Sequence, residues 1–356
     1  MGPTEAAMAP KDYLAAQATL HPGMRPQDMV KLCYQAVFGA EHLIKDEAAA
    51  KRLFDEEFAS VSGSPSPLCE WLSPGCCRVN LSAWKQRGMP SAWLFQIFRH
   101  SAEKSAGSED VFRSLLRDAG SLCAAGVLPF TVRAWDDALA AYWRTGGGAV
   151  HHSKAYKACE QPAYRVVGAD FVRLFPLLES MARLDKPGTA QVVALDGRAA
   201  SGKTTMAAQL SRILDVGVIH MDDFFLPLPL RSESRLQEPG GNVHYERFAQ
   251  EVLPEIAQPE AFCYRRFDCC KMDFGDIRTV AAATWRIVEG AYSCHPRFGN
   301  YADIKVFCDV TPAEQMRRIK QRNGAEGARR FAERWIPLEE RYLAHFQIAQ
   351  KADVIL

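Results

Sequence analysis

Residues 192–205 read Val192-Val-Ala-Leu-Asp-Gly-Arg-Ala-Ala-Ser-Gly-Lys-Thr-Thr205. An apolar run closes on Gly197, four residues follow, and then come Gly202, Lys203 and Thr204. This is the G-x-x-x-x-G-K-[ST] phosphate loop, set between a strand and a helix as the motif requires. Gly197 and Gly202 let the backbone take turns that a side chain would obstruct. The N–H groups of the loop, Arg198, Ala199, Ala200, Ser201 and Thr205 among them, and the N-terminus of the next helix then point at phosphate oxygens. Lys203 is expected to reach the β- and γ-phosphates, and the Thr204 hydroxyl to ligate Mg²⁺. Met206–Leu214 continues as a helical pattern.

Outward from the loop, strands and helices alternate. Expected strands are Gln191–Asp196, Val216–Met221, Ala261–Tyr264, Trp285–Glu289, Ile304–Asp309 and Asp353–Leu356. Expected helices are Lys203–Leu214, Tyr245–Val252, Pro312–Arg322 and Gly327–Phe346. Such alternation predicts an α/β fold, a parallel sheet with helices on both faces. Ligands bind such sheets at the carboxyl ends of the strands. The phosphate loop, Asp222, Tyr264 and Glu289 all fall at those ends.

The remaining half reads differently. With 356 residues, two domains are the natural expectation. Leu184-Asp-Lys-Pro-Gly-Thr-Ala190 reads as a linker, so residues 1–183 form one domain and 191–356 another. The first is mainly α-helical, with helices expected over Gln27–Phe54, Ser91–Glu103, Ser108–Ala125 and Thr131–Trp143. Ser62–Pro67, Ser73-Pro-Gly75 and Gly146-Gly-Gly148 mark loops between them. Glu41 and His42 are pocket candidates there, against the plainer reading of a helix with a satisfied histidine. Arg78-Val-Asn-Leu81 and His100 are unspecific.

Composition excludes several classes. Apolar residues make up 48% and charged residues 24%, which is ordinary for a globular protein. A net charge of +1 gives no reason to expect a nucleic-acid or membrane-surface partner. No apolar stretch is long enough to span a bilayer. The first ten residues lack a basic region followed by an apolar one, and position 6 lacks the Ser or Thr of the myristoylation pattern. A cytoplasmic location is therefore expected. The 11 cysteines are odd in number and should stay reduced there. Neither Cys69, Cys76 and Cys77 nor Cys263, Cys269 and Cys270 has zinc-site spacing, so buried thiols are expected.

Three further motifs carry chemistry. His220-Met-Asp-Asp-Phe-Phe225 places a carboxylate across from the phosphate loop, where phosphoryl transfer needs a group to accept a hydroxyl proton. Asp222 and Asp223 point to opposite sides, so one of them faces the site. Glu289, at the end of Arg286-Ile-Val-Glu-Gly290, is placed to hold Mg²⁺ directly or through water. Arg317, Arg318, Lys320 and Arg322 concentrate positive charge on one helix, which suits a lid over a triphosphate.

These residues together resemble the uridine kinase branch of the phosphate-loop kinases, which includes phosphoribulokinase and bacterial pantothenate kinase. The likeness rests on Gly197–Thr205, Asp222-Asp-Phe-Phe225, Ile287-Val-Glu-Gly290 and Arg317–Arg322, and covers about residues 190–356. It implies ATP and Mg²⁺ as cofactors and a small-molecule hydroxyl as acceptor, most simply that of a nucleoside. It implies Asp222 as catalytic base, Glu289 in the magnesium shell, and Arg317, Arg318 and Arg322 as lid arginines. Tyr264 matches the family's base-reading tyrosine, although no histidine follows it. His244, Tyr245 and Arg247 fall where the substrate-side loop and helix lie, with capping and packing as their alternative. The open alternatives are another alcohol (pantothenate-like, a sugar acid or a sugar phosphate) and a nucleotide-dependent regulator without an acceptor. A homo-oligomer is also left open.

Overall fold

The computed structural model describes residues 8–40, 44, 46–103, 107–184, 186, 188–268 and 271–356. The chain divides into two compact units, one up to Arg173 and one from Leu174 to Leu356. Among the described residues no helix is long and apolar enough to cross a membrane.

The first unit is mainly helical. Its helices are α1 (Pro10–Leu20), α2 (Pro26–Phe38), α3 (Glu47–Ser60), α4 (Leu81–Gln86), α5 (Ser91–Ala102), α6 (Glu109–Ala124), α7 (Val132–Arg144), α8 (Lys154–Glu160) and α9 (Ala169–Val172). Gln27–Phe54, expected as one helix, is split between α2 and α3. Gly39 ends α2 in a positive-φ conformation (φ 57), and Asp46 caps α3 by accepting from the Ala49 N–H at 3.1 Å. Glu41 and His42 lie outside the described residues. A sheet absent from the sequence reading joins the helices: β1 (Cys69–Ser73), β2 (Cys76–Asn80) and β3 (Tyr164–Gly168), paired antiparallel in that order. Ser73-Pro-Gly75 is its hairpin turn rather than an interhelical loop. Arg78 on β2 is buried, donating to the side-chain oxygens of Gln17 (3.1 Å) and Gln35 (2.9 Å). It serves the interior of this unit.

The second unit is the α/β half. It runs α10 (Phe175–Ala182), β4 (Gln191–Gly197), α11 (Lys203–Ile213), β5 (Val216–His220), α12 (Glu233–Gln237), α13 (Tyr245–Glu251), β6 (Phe262–Asp268), β7 (Asp273–Val280), β8 (Trp285–Glu289), β9 (Ile304–Cys308), α14 (Pro312–Arg330), α15 (Ile336–Phe346) and β10 (Val354–Ile355). Five strands form one parallel sheet in the order β10-β9-β4-β8-β5. Because β4 is central, the phosphate loop after it opens between β8 and β9. All of β8, and β4 from Val192 onward, are buried, as expected for strands covered on both faces, and the burial of β8 includes Arg286 and Glu289. α10 packs on β9 and β10, so the division falls at Arg173/Leu174. The 184–190 stretch joins α10 to β4 within the second unit.

One expected strand is placed differently. The Ala261–Tyr264 segment begins β6, which pairs antiparallel with β7 in a separate two-stranded sheet and takes no part in the parallel one. Its burial alternates, with Phe262 and Tyr264 inside and Cys263 and Arg265 outside. That period of two belongs to an antiparallel ribbon with one covered face. α14 breaks at Gly324 (φ 71), and a π-turn over Phe331–Trp335 leads into α15. The two helices expected across Pro312–Phe346 meet at this break.

Gly197 has φ 125, and a Cβ there would collide with the backbone oxygen and nitrogen of Cys308 on β9. Gly197→Ala combines left-handed strain with a backbone clash. It should lower unfolding stability by about 2–4 kcal/mol, read as a reduced urea midpoint. An unchanged midpoint would mean that the loop does not need this turn.

Candidate active site

The loop between β4 and α11 is bent by alternating backbone signs. Gly197 (φ 125), Ala200 (φ 57) and Gly202 (φ 99) all lie at positive φ. Such alternation turns successive N–H groups into one concavity, and α11 adds the positive end of its dipole. Lys203 is the first residue of α11. Its ammonium folds over the loop and donates to the carbonyls of Gly197 (2.7 Å) and Arg198 (2.8 Å).

Acids gather opposite. Glu289, the last residue of β8, is 5% exposed. One of its oxygens accepts from the Thr204 hydroxyl at 3.0 Å, and the other pairs with His220 Nδ1 at 2.6 Å. It therefore ties the first turn of α11 to the end of β5. Asp222 and Asp223 follow β5 on a short 3₁₀ turn and separate as expected. Asp222 lines the cavity together with Lys203, Thr204 and Glu289. Its carboxyl reaches solvent at the mouth, yet protein crowds it elsewhere. Burial, then the Glu289 charge, push its pKa up, while Lys203 pulls it down. Asp223 turns away and accepts from the Tyr264 hydroxyl (2.8 Å) and Arg278 (2.7 Å).

α15 is fastened to the loop at three points. Tyr342 donates to Asp196 at 2.7 Å, Glu340 pairs with Arg198 at 2.7 Å, and Glu339 accepts from the Ala199 N–H at 2.7 Å. Asp196 is fully buried and also accepts from the N–H groups of Gly197 (2.7 Å), Tyr292 (3.0 Å) and Cys294 (2.8 Å). Burial raises its pKa even against these bonds. Glu339 is 4% exposed, and burial pushes its pKa up to about 7.

These groups enclose a cavity of about 660 Å³. On one side it is lined by the loop, Lys203 and Thr204, and on another by Arg318, Arg322, Phe331, Trp335 and Glu339. At the remaining end stand Phe225, Arg231, Asn242 and Met272. Arg318 also donates to the Ala200 carbonyl at 3.1 Å, holding α14 against the loop. Among the described residues, no three His, Cys, Asp or Glu side chains form a metal cage. A hydroxyl and a carboxylate 3.0 Å apart beside a phosphate cradle nonetheless fit Mg²⁺, which takes few protein ligands and completes its shell with phosphate and water oxygens.

Of the residues singled out from sequence, the structure gathers Ala199, Ala200, Gly202, Lys203, Thr204, Thr205, Asp222, Glu289, Arg318 and Arg322 around one cavity. Gly197, Arg198 and Ser201 belong to the loop without lining the cavity, and five more residues stand elsewhere. Arg317 points outward and pairs with Glu314 at 2.6 Å, because adjacent helix positions face different ways. Tyr264 is buried, donating to Asp223 and accepting from the His220 N–H at 3.2 Å. His244 caps α13. Tyr245 is packed under Arg235 and Arg297. Arg247 donates to the carbonyls of Asp223 and Arg265 and lies over Phe224. Tyr264 and Arg247 thus brace Asp223, next to Asp222, while His244 and Tyr245 serve the start of α13 and its packing. Missed were Phe225, although it closes the Asp222–Phe225 motif, and Arg231, Asn242, Tyr292, Trp335 and Glu339, single residues in no local motif. Only the aromatic-acid run Trp335–Glu340 next to the basic helix could have hinted at the last two.

No family model and no curated protein sequence matches the chain. Solved structures do. A protein described as a possible uridine kinase from Bacillus stearothermophilus is 21% identical, with 52% of this chain and 97% of that one covered, at a TM-score of 0.41. One described as a fructose transport system kinase from Silicibacter sp. TM1040 is 23% identical, covering 50% of this chain and 95% of that one, at 0.41. D-glycerate 3-kinase from Cryptococcus neoformans is 16% identical over 48% of this chain and 86% of that one, at 0.31. The fold assignment rests on the strand order and the loop, which need no support from likeness at this level.

Glu339 sets a pH dependence. Its folded pKa of about 7 lies above the ordinary 4.5, so its contribution to stability is complete below pH 4.5 and lost as pH rises through 7. Glu339→Gln is neutral throughout. Relative to wild type it should gain about 3 kcal/mol between pH ~4.5 and ~8, measured by urea unfolding. A constant difference would place the Glu339 pKa in the usual range.

Proposed function

We propose that the second unit is an ATP- and Mg²⁺-dependent kinase that transfers a phosphoryl group to a hydroxyl of a small molecule. The observation that carries this is one cavity with Lys203 and the phosphate loop on one side and the free carboxylate of Asp222 on the other. A protein that only binds nucleotide has no use for a base facing the γ-phosphate position. The regulator reading is disfavoured on that ground.

In this reading the loop N–H groups and Lys203 hold the β- and γ-phosphate oxygens. Asp222 accepts the proton of the attacking hydroxyl. Its raised pKa makes it a better proton acceptor than an ordinary carboxylate. Arg318 and Arg322 meet the charge spread over the transferring group, and the lid they sit on keeps water from taking the acceptor's place. Thr204 would hold Mg²⁺ directly, and Glu289 directly or through water. The ion would neutralise phosphate charge and set the phosphates in line. Such an ATP-using enzyme, with reduced cysteines, belongs in the cytoplasm.

The acceptor end has a mixed character. A nucleoside, the first expectation, would lay its ring on Phe225 and present a sugar hydroxyl to Asp222. A second reading has its own support: Arg231 and Asn242 at that end suit an alcohol with a carboxylate or phosphate, such as a sugar acid or sugar phosphate. The burial of Tyr264 against Asp223 removes one base-reading contact and favours this second reading.

Asp222→Asn should reduce phosphoryl transfer at least ~10²-fold while leaving nucleotide affinity near wild type. Full turnover in that variant would take the base role from Asp222. With labelled ATP and a set of acceptors, transfer to uridine or cytidine supports the nucleoside. Transfer confined to acidic alcohols, with KM raised at least ~10-fold by Arg231→Met, supports the second reading.

A further inference from the structure

Glu339 is out of place by the logic of its surroundings. The phosphate loop is built to receive anions, yet a carboxylate from α15 already accepts one of its N–H groups, Ala199, at 2.7 Å. The group cannot withdraw into water. It is 4% exposed, and its helix is held on either side of it by Tyr342 on Asp196 and Glu340 on Arg198.

The charges facing it are nearly balanced. From the loop side come Lys203 and, at longer range, the buried Asp196 at the end of β4. Glu340 adjoins it on α15, and Tyr292 faces it from the segment after β8. Across the cavity stand Asp222 and Glu289, with Arg318 and Arg322 on α14. Lys203 is the strongest of the influences that keep Glu339 ionised.

Resting on the kinase reading, we infer that Glu339 is a positioning residue for the phosphate loop that takes up a proton when a nucleotide's phosphates enter the cavity. The phosphates add negative charge within the enclosure and draw Lys203 toward themselves. Both changes act against the Glu339 carboxylate. The proton comes from solvent, binds a carboxylate oxygen, and returns to solvent when the nucleotide leaves. No other bond changes. The neutral acid still accepts from the Ala199 N–H through its carbonyl oxygen, so α15 stays fastened to the loop. Its new O–H has the cavity before it and can donate to a phosphate oxygen. A free-state pKa of about 7 places the change within the physiological range. By linkage, nucleotide affinity then falls as pH rises, by up to about tenfold per unit.

The test is calorimetric titration of the full chain with Mg²⁺-saturated ADP near pH ~7.5, in two buffers of different ionisation enthalpy. Wild type should take up ~0.5–1 proton per ADP, and its Kd should weaken between pH ~6.5 and ~8.5. Glu339→Gln should bind ADP with no proton uptake and a flat Kd. Wild-type binding without proton uptake, or equal uptake in both proteins, would overturn the inference and leave the kinase reading standing. The wild-type proton count needs no variant, so a misfolded Gln variant does not cloud it. Failure of wild type to bind Mg²⁺-ADP at millimolar concentration would overturn both.

Discussion

At the carboxyl end of β4, the Asp196 carboxylate sits where no water reaches and accepts bonds from Gly197, Tyr292, Cys294 and Tyr342. Its burial is costly and is offset only because every lone pair has a donor. Those donors come from the phosphate loop, the segment after β8, and α15. One carboxylate therefore fixes where the loop begins relative to two walls of the cavity. Losing it would leave three backbone N–H groups and a tyrosine hydroxyl without their acceptor. Each such orphan costs about 1–3 kcal/mol.

From that anchor the charge pattern of the cavity follows. Glu289 is engaged on both oxygens, by Thr204 and His220, and braces the first turn of α11 against the end of β5. Asp223 is engaged by Tyr264 and Arg278, which leaves Asp222 as the carboxylate of the pair that faces the cavity. Adjacent aspartates thus divide the work. One locks the turn after β5 onto the β6–β7 ribbon, and the other is held ready by that lock. On the cationic side, Lys203, Arg318 and Arg322 share the cavity with Asp222, Glu289 and Glu339. With Arg231 at the far end, positive and negative side chains around the cavity are close to balance, and a polyanion entering it tips that balance toward negative charge.

The phosphate loop and Asp222 were legible because their chemistry is local: spacing in the chain dictates position in space. The parallel sheet was legible because β4 carries the apolar run Val192–Leu195 and strands and helices alternate along this half of the chain. The lid was half legible. A run of arginines announces a basic helix, but which face meets the cavity depends on helix packing, and Arg317 and Arg318 differ by one position and end on opposite sides of that question. Tyr264 looked like a substrate contact because it matches the base-reading tyrosine of the family that the chain resembles. The β6–β7 ribbon, whose second strand is polar and Gly-containing, turns it toward Asp223 instead. Arg231 was not legible at all, and Glu339 only through its place in the Trp335–Glu340 run. Each is a single charged letter, and only chain segments more than a hundred residues apart, in the case of Ala199 and Glu339, bring it to the site. The β2–β3 pairing of the first unit was hidden for the same reason, since all of α4 to α8 lies between those two strands.

The central claim is a triphosphate pocket with a proton acceptor opposite. It is tested most directly by a crystal structure of the chain grown with ADP and Mg²⁺. The account predicts the β-phosphate on the N–H groups of residues 202–204, the Lys203 ammonium moved from the Gly197 and Arg198 carbonyls onto phosphate oxygen, and the Asp222 carboxylate facing the vacant γ position. ADP bound elsewhere, or bound at the loop with Asp222 turned out of the cavity, would contradict it.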